Sequence, residues 1–295
     1  MVGIYARAPA IANCRGVPTS AATPGERPDG GKWPFVMLEF APHDCDMKRS
    51  NQRDEVRTDG DCLADGADAW SLQLYRGPMP EIIFTGPAGR LEGRFQPAKR
   101  KNGPIAIVLH PHPQFGGTMN NQIVYQLFYM FSKRGFAVLR FNFRGVGRSQ
   151  GEFDHGSGEL SDAAAALDWV QSVHPDAKSC WVAGFSFGAW IGMQLLMRRP
   201  EIEGFISIAP QPNLYDFTFL APCPSSGLII HGDQDKVAPP KDVQTLVDKL
   251  KTQKGIKIDQ QILKGANHFF ENNINELMED CAAYLDRRMA MDDAA

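Results

Sequence analysis

Cys180-Trp181-Val182-Ala183-Gly184-Phe185-Ser186-Phe187-Gly188-Ala189-Trp190 decides the reading of this chain. Its first four residues form a continuous apolar run, as a strand buried on both faces requires. From Phe187 to Arg199 the sequence is apolar almost all round, which predicts a buried helix. Between strand and helix lies Gly-Phe-Ser-Phe-Gly. So sharp a passage from strand to helix forces its central residue into a strained conformation and lifts the Ser186 hydroxyl clear of the sheet. Glycines at both ends let neighbouring backbone come close. The helix aims its free N–H groups, and the positive end of its dipole, at the same spot. An acyl oxygen gaining negative charge there would be held by the N–H of Phe187. The plainer reading of these five residues is tight helix–strand packing around a buried serine. The strand before and the helix after favour a nucleophile.

Working outward, the chain alternates strand and helix patterns. Ile82–Thr85 and Arg90–Phe95 flank a Gly-Pro-Ala-Gly turn and read as a hairpin. Ile105–Leu109 and Phe136–Phe141 are buried strands. The helix between them, Asn120–Arg134, is ended by Gly135. Leu160, Ala164, Leu167 and Val170 mark one face of a helix that must stop near Pro175. Beyond the Ser186 helix, strands are expected at Phe205–Ile208, Leu228–Ile230 and Lys257–Leu263. Helices are expected at Val243–Lys251 and Ile274–Met289. Such alternation predicts an α/β fold, a mostly parallel sheet with helices on both faces.

Serine is a poor nucleophile without a base. His268, in Gly265-Ala-Asn-His-Phe-Phe270, follows the last strand and precedes the last helix, so its loop lies at the carboxyl ends of the strands. The plainer alternative is a solvated loop histidine. The orienting acid should fall between serine and histidine in the chain. His231-Gly-Asp-Gln-Asp-Lys-Val-Ala-Pro-Pro240 offers Asp233 and Asp235. Asp235 is the choice, because the loop must extend before it turns back toward His268. Asp233 is expected to shape the turn by accepting from local backbone N–H groups. The acid would fix the imidazole tautomer and stabilise the imidazolium.

A second oxyanion donor is expected from His110-Pro-His-Pro-Gln-Phe-Gly-Gly117, which follows another buried strand. Pro111 and Pro113 have no N–H, which leaves His112, Gln114 or Phe115, with His112 preferred. His110 and His112 also form an H-x-H pair that could bind metal. No acidic cluster accompanies the pair, and no metal or organic cofactor is expected.

Four motifs, HPHPQFGG, FNFRGVGRSQG, GFSFGAW, and HGDQDKVAP with GANHFF, resemble those of the α/β-hydrolase superfamily across Met79 to about Arg288. The likeness is strongest to compact, lid-less bacterial serine hydrolases of the dienelactone-hydrolase-like and acyl-peptidase-like kind. The resemblance implies an eight-stranded, mostly parallel sheet with one antiparallel strand near its start. Where many relatives carry His-Gly, this chain has HPHP, which leaves the oxyanion donor open. Relatives often insert a helical lid after the sixth strand. Here Gln211–Ser225 is short, so an open site without a large cap is expected. Phe115, Phe185, Phe187, Phe217, Phe219, Phe269 and Phe270 cluster near these loops, either as an apolar acyl pocket or as core. Arg144 and His155 are read as structural or solvated, with the rim of the site as the alternative.

The chain has 295 residues, 43% hydrophobic and 22% charged, with net charge -3. That balance offers no basic face for nucleic acid, and no apolar run is long enough to span a membrane. Six cysteines at 14, 45, 62, 180, 223 and 281 show no C-x-x-C pair and no disulfide framework, which points to the cytoplasm. Cys180 sits in an apolar run and reads as a small buried hydrophobe. Residues 1–78 are polar and broken by turn formers, with Trp33–Leu38 as their one apolar block. They are read as a disordered, dispensable extension. A catalytic domain at 79–290 and a flexible tail at 291–295 follow. A chain begun at Met79 should fold and stay active; an inactive or insoluble product would count against this division.

Together these readings predict a serine hydrolase acting on a small acyl substrate through Ser186, Asp235 and His268. A carboxylic ester is favoured over an amide or peptide. A protein of this fold that only binds a ligand is the alternative from another class.

Overall fold

The sheet begins with an antiparallel hairpin, Glu81–Gly86 (β1) against Gly89–Gln96 (β2). A computed structural model describes residues 81–292. The proposed extension at 1–78, the Trp33–Leu38 run and Met79 lie outside the described residues.

After the hairpin come Ile105–Leu109 (β3), Gln122–Lys133 (α1), Ala137–Phe141 (β4), Ser157–Val173 (α2) and Cys180–Phe185 (β5). Phe187–Arg198 (α3), Ile202–Ile208 (β6), Ser226–Gly232 (β7), Pro240–Lys251 (α4), Ile258–Leu263 (β8) and Ile274–Asp292 (α5) complete the order. Eight strands lie in the order β1-β2-β4-β3-β5-β6-β7-β8. β2 pairs antiparallel with both β1 and β4, and every other pairing is parallel. The eight-stranded, mostly parallel sheet with one reversed strand near its start is therefore present.

The two faces of the central strands divide the core. On β3, Ile105, Ile107 and Leu109 pack with α2, α3 and α4, while Ala106 and Val108 pack with α1 and α5. Burial on both faces is why these strands read as unbroken apolar runs. Cys180 is buried with its neighbours, as expected. Its thiol is pushed up to about 12 by desolvation.

Element ends follow local chemistry. Asn121 caps α1 by accepting from the Ile123 N–H at 3.0 Å. At the start of α2, Glu159 accepts from the Gly156 and Asp154 N–H groups at 2.7 and 2.9 Å. α2 ends at Val173, two residues before Pro175. α5 continues to Asp292, so a boundary at 290 falls inside the helix. Between β6 and β7, residues 209–225 hold turns and no helix, and no large cap covers the sheet among the described residues.

Candidate active site

Ser186 stands at the junction of β5 and α3 with φ 58° and ψ -116°. A residue with a Cβ takes that conformation only under constraint. Its N–H donates to the Ile208 carbonyl at 2.8 Å, which fixes the elbow to the end of β6. The flanking glycines are needed for close approach. A Cβ on Gly184 would lie 2.2 Å from the Gly188 oxygen, and one on Gly188 would lie 2.4 Å from the Leu109 oxygen. The bare Gly188 backbone thus lets the loop after β3 close against the elbow.

His268 comes from the loop after β8 and Asp235 from the loop after β7. His268 Nε2 is 3.0 Å from Ser186 Oγ, and its Nδ1 is 2.8 Å from Asp235 Oδ2. A carboxylate only accepts, so Nδ1 carries the proton and Nε2 faces the hydroxyl as an acceptor. The other oxygen of Asp235, Oδ1, accepts from the N–H groups of Val237 at 2.8 Å and Ala238 at 2.7 Å. All three side chains are nearly buried, with Ser186 5% exposed.

Asp233 does not behave as expected. It accepts from Gly265 N–H at 2.6 Å, thirty-two residues along the chain, rather than from its own turn. Gln234 N–H also donates to Ala266 O at 3.1 Å. Asp233 therefore laces the acid loop to the histidine loop, a contact the local sequence does not reveal.

On the other side of the elbow, the ring of His112 lies 5.0 Å from that of Phe187. The His112 N–H has no partner among the described residues, whereas Gln114 donates to His112 Nδ1, and Phe115 and Gly117 to His112 O. The Phe187 N–H opens α3 and has no earlier turn to donate to. Neither N–H is engaged in a bond among the described residues.

His110 has neither nitrogen to spare for a metal. Its Nδ1 donates to Pro111 O at 2.6 Å and its Nε2 accepts from Phe143 N–H at 3.0 Å. Desolvation pulls its pKa down to about 4. Burial lowers His112 to about 4 as well, with His155 adding to the effect. Arg144 is structural. It grips the buried Asp162 with Nη2 at 2.8 Å and Nε at 3.0 Å. His155 is exposed, beside the ring of Phe153.

Of the seven candidate pocket phenylalanines, Phe185, Phe187 and Phe270 are core, and Phe217 is buried with Phe219 stacked on it. Only Phe115 and Phe269 are exposed. The sequence reading missed the clamp behind the HPHP loop. Asn142 Oδ1 accepts from Met119 N–H at 2.7 Å, and Arg140 Nη1 donates to Met119 O at 2.5 Å. Asn142 is itself held by the buried Glu92. An arginine inside the apolar run of β4 was the available signal.

Fold and elbow define the class: the chain belongs to the α/β-hydrolase superfamily, among its serine hydrolases. Within it, the chain is a member of the X-Pro dipeptidyl-peptidase (S15 family) by family model, matched over residues 18–239. The Prolyl oligopeptidase family model matches residues 203–292. A relative, protein RP471 of Rickettsia prowazekii (strain Madrid E), is 53% identical over 70% of this chain and 89% of its own. Among solved structures, ATU1826 of Agrobacterium tumefaciens is 79% identical with a TM-score of 0.71, covering 72% of this chain and 97% of that one. XC6422 of Xanthomonas campestris, an α/β serine hydrolase without lid, is 31% identical with a TM-score of 0.62, covering 72% and 96%. Among the described residues no helix is long and apolar enough to cross a membrane.

Proposed function

We propose that the protein is a serine esterase in which Ser186 is the nucleophile, His268 its general base and Asp235 the orienting acid. The observation that carries the reading is the unbroken line of contacts from Ser186 Oγ through His268 to Asp235, 3.0 and 2.8 Å long. His268 Nε2 takes the hydroxyl proton as Oγ bonds to the acyl carbon. The N–H groups of Phe187 and His112 hold the oxyanion. As the ester C–O bond breaks, His268 returns that proton to the leaving alcohol. Water then attacks the acyl-enzyme and gives its proton to Nε2. The carboxylic acid departs and Ser186 regains its hydrogen. No cofactor enters this sequence.

Both matching family models are peptidases, so amide cleavage by the same three residues is the second reading. An exopeptidase must recognise a terminal ammonium, which calls for a free carboxylate beside the acyl site. Asp235 and Asp233 are engaged with His268 and the Gly265 N–H. Glu152 is exposed beside Phe153, whose ring lies 4.8 Å from that of His112, so assay on both substrate classes separates the two readings. The reading includes a reducing, cytoplasmic setting, in keeping with the buried free thiols of Cys180, Cys223 and Cys281.

A fluorophosphonate probe tests the nucleophile. Wild type should label, and Ser186→Ala and His268→Ala should not. Folded wild type that stays unlabelled would favour a ligand-binding protein instead. Parallel assays on nitrophenyl esters and aminoacyl anilides separate ester from amide.

A further inference from the structure

Eight large apolar side chains are exposed among the described residues, and four of them lie on the strand-end loops that carry or adjoin the candidate site. Phe115 lies on the loop after β3, Leu214 between β6 and β7, Val237 on the acid loop and Phe269 beside the histidine. The other four, Ile83, Val173, Ile262 and Met291, are scattered over β1, the end of α2, β8 and α5. Ring contacts place two of the first four beside candidate-site side chains, and a loop contact joins the segments that carry the other two. The Phe269 ring is 5.3 Å from that of His268, and Phe115 is 4.7 Å from His112. Asn213 Nδ2 donates to Val237 O at 3.0 Å, which sets the Leu214 loop against the acid loop.

Beneath Ser186 the ground is filled. Phe143, Phe185, Phe187 and Phe270 are packed core rings rather than the walls of an opening. Hollows of about 140 and 250 Å³ lie elsewhere, one lined by β8 and α5 and the other by α2 and α3. An apolar group on the substrate would meet these exposed rim side chains beside the packed rings. Exposed apolar residues scattered singly need no explanation, but a cluster around a reacting centre does.

We propose that this rim binds a linear apolar acyl chain, so that the substrate is a monomeric ester of a medium- or long-chain fatty acid. The chain lies across Phe115, Leu214, Val237 and Phe269 while its carbonyl sits over Ser186. The proposal rests on the acyl-transfer reading above and names the substrate class for that site. A chain on a rim buries about one side, so each methylene should add roughly twofold to kcat/KM, about half the logarithmic gain of full burial.

The test uses the full chain with nitrophenyl esters from butyrate to decanoate, kept below their micelle concentrations. A rise of about 60-fold across the series is expected, at roughly twofold per methylene. Phe115→Ser combined with Phe269→Ser should cut the decanoate-to-butyrate ratio about tenfold, and Val173→Ser with Met291→Ser should leave it unchanged. A flat series, a ratio indifferent to the rim variant, or a rate that climbs only above the micelle concentration would overturn the proposal. A binding arm separates rim from chemistry. By calorimetry, Ser186→Ala protein should bind dodecanoate at least tenfold more tightly than butyrate, with a negative heat-capacity change. Equal affinities overturn the rim. Chain-dependent binding with no fluorophosphonate labelling of wild type would uphold the rim and refute the acyl-transfer reading.

Discussion

Replacing Asp235 with asparagine changes one atom and should reverse a proton. Oδ1 of Asp235 accepts two backbone N–H groups, from Val237 at 2.8 Å and Ala238 at 2.7 Å. An asparagine must keep its carbonyl oxygen there, because the flipped amide would turn an N–H₂ toward two donors. Its N–H₂ then points at His268 Nδ1, where Oδ2 now lies at 2.8 Å. To accept from that amide, Nδ1 must give up its hydrogen. The neutral ring then carries its proton on Nε2, facing a Ser186 hydroxyl 3.0 Å away that needs an acceptor. A base held in the wrong tautomer loses about 10⁴-fold in kcat, or roughly 5 kcal/mol of barrier. Nitrophenyl butyrate hydrolysis measures the loss, and thermal melting should show a fold little changed. Asp233→Asn is the control: its partner is the Gly265 N–H, so no tautomer is at stake. An Asp235→Asn enzyme that keeps a tenth of wild-type kcat would refute the assignment. So would a larger kcat loss in Asp233→Asn than in Asp235→Asn.

Three other changes follow from named contacts. Burial holds His110 neutral down to about pH 4, against 6.5 unfolded, so its contribution is intact above pH 6.5 and lost as pH falls toward 4. That amounts to about 2 kcal/mol at pH 5; urea melts of wild type should weaken by at least that much from pH 7 to 5, and those of His110→Asn by less. In Gly188→Ala the new Cβ meets backbone, the Leu109 and His110 oxygens at 2.4 and 2.6 Å, which cannot swing aside. The variant should lose about 1–3 kcal/mol of stability and, by displacing an oxyanion donor, about 10²-fold or more in kcat; wild-type turnover would refute the elbow argument. Asp162→Ala strands Arg144 in a buried site without its two-pronged partner. Denaturant unfolding should record a loss of about 3–5 kcal/mol, and a neutral result would mean that the pair is solvated.

The strands of this sheet were legible because burial on both faces writes itself as an apolar run, as in Ile105–Leu109 and Cys180–Ala183. Ser186 was legible because its motif needs a strand before it and a helix after it, and both were visible. Phenylalanines were not sortable by the same means. Phe185 and Phe187 flank the serine two residues apart, yet the first packs against α1 and α5 and the second against α2 and α3. Between them the chain leaves a strand and enters a helix, so neither a period of 2.0 nor one of 3.6 applies. Asp233 and Arg140 were misjudged or missed for another reason. Their partners are distant in sequence, and a polar side chain's role is set by what the fold brings to it.

Strain at the proposed nucleophile and stiffness in its partners belong to one design. Ser186 is held at a positive φ that its backbone would abandon if the neighbouring chain could yield. Around it, yielding is blocked. The Ser186 N–H is tied to β6, Gly188 sits against the end of β3, and Met119 is clamped at both N–H and carbonyl by Asn142 and Arg140. The loops of His268 and Asp235 are likewise laced. A Cβ on Gly232 would lie 2.1 Å from the Ala266 oxygen, and Asp233 and Gln234 bond across the same seam. His268 and Asp235 are thereby held in place relative to Ser186, so the proposed reaction would need little reorganisation. A site aligned in this way has no need of a closing lid to assemble it, which is consistent with the short span from 209 to 225 and would leave the proposed rim open to an acyl chain.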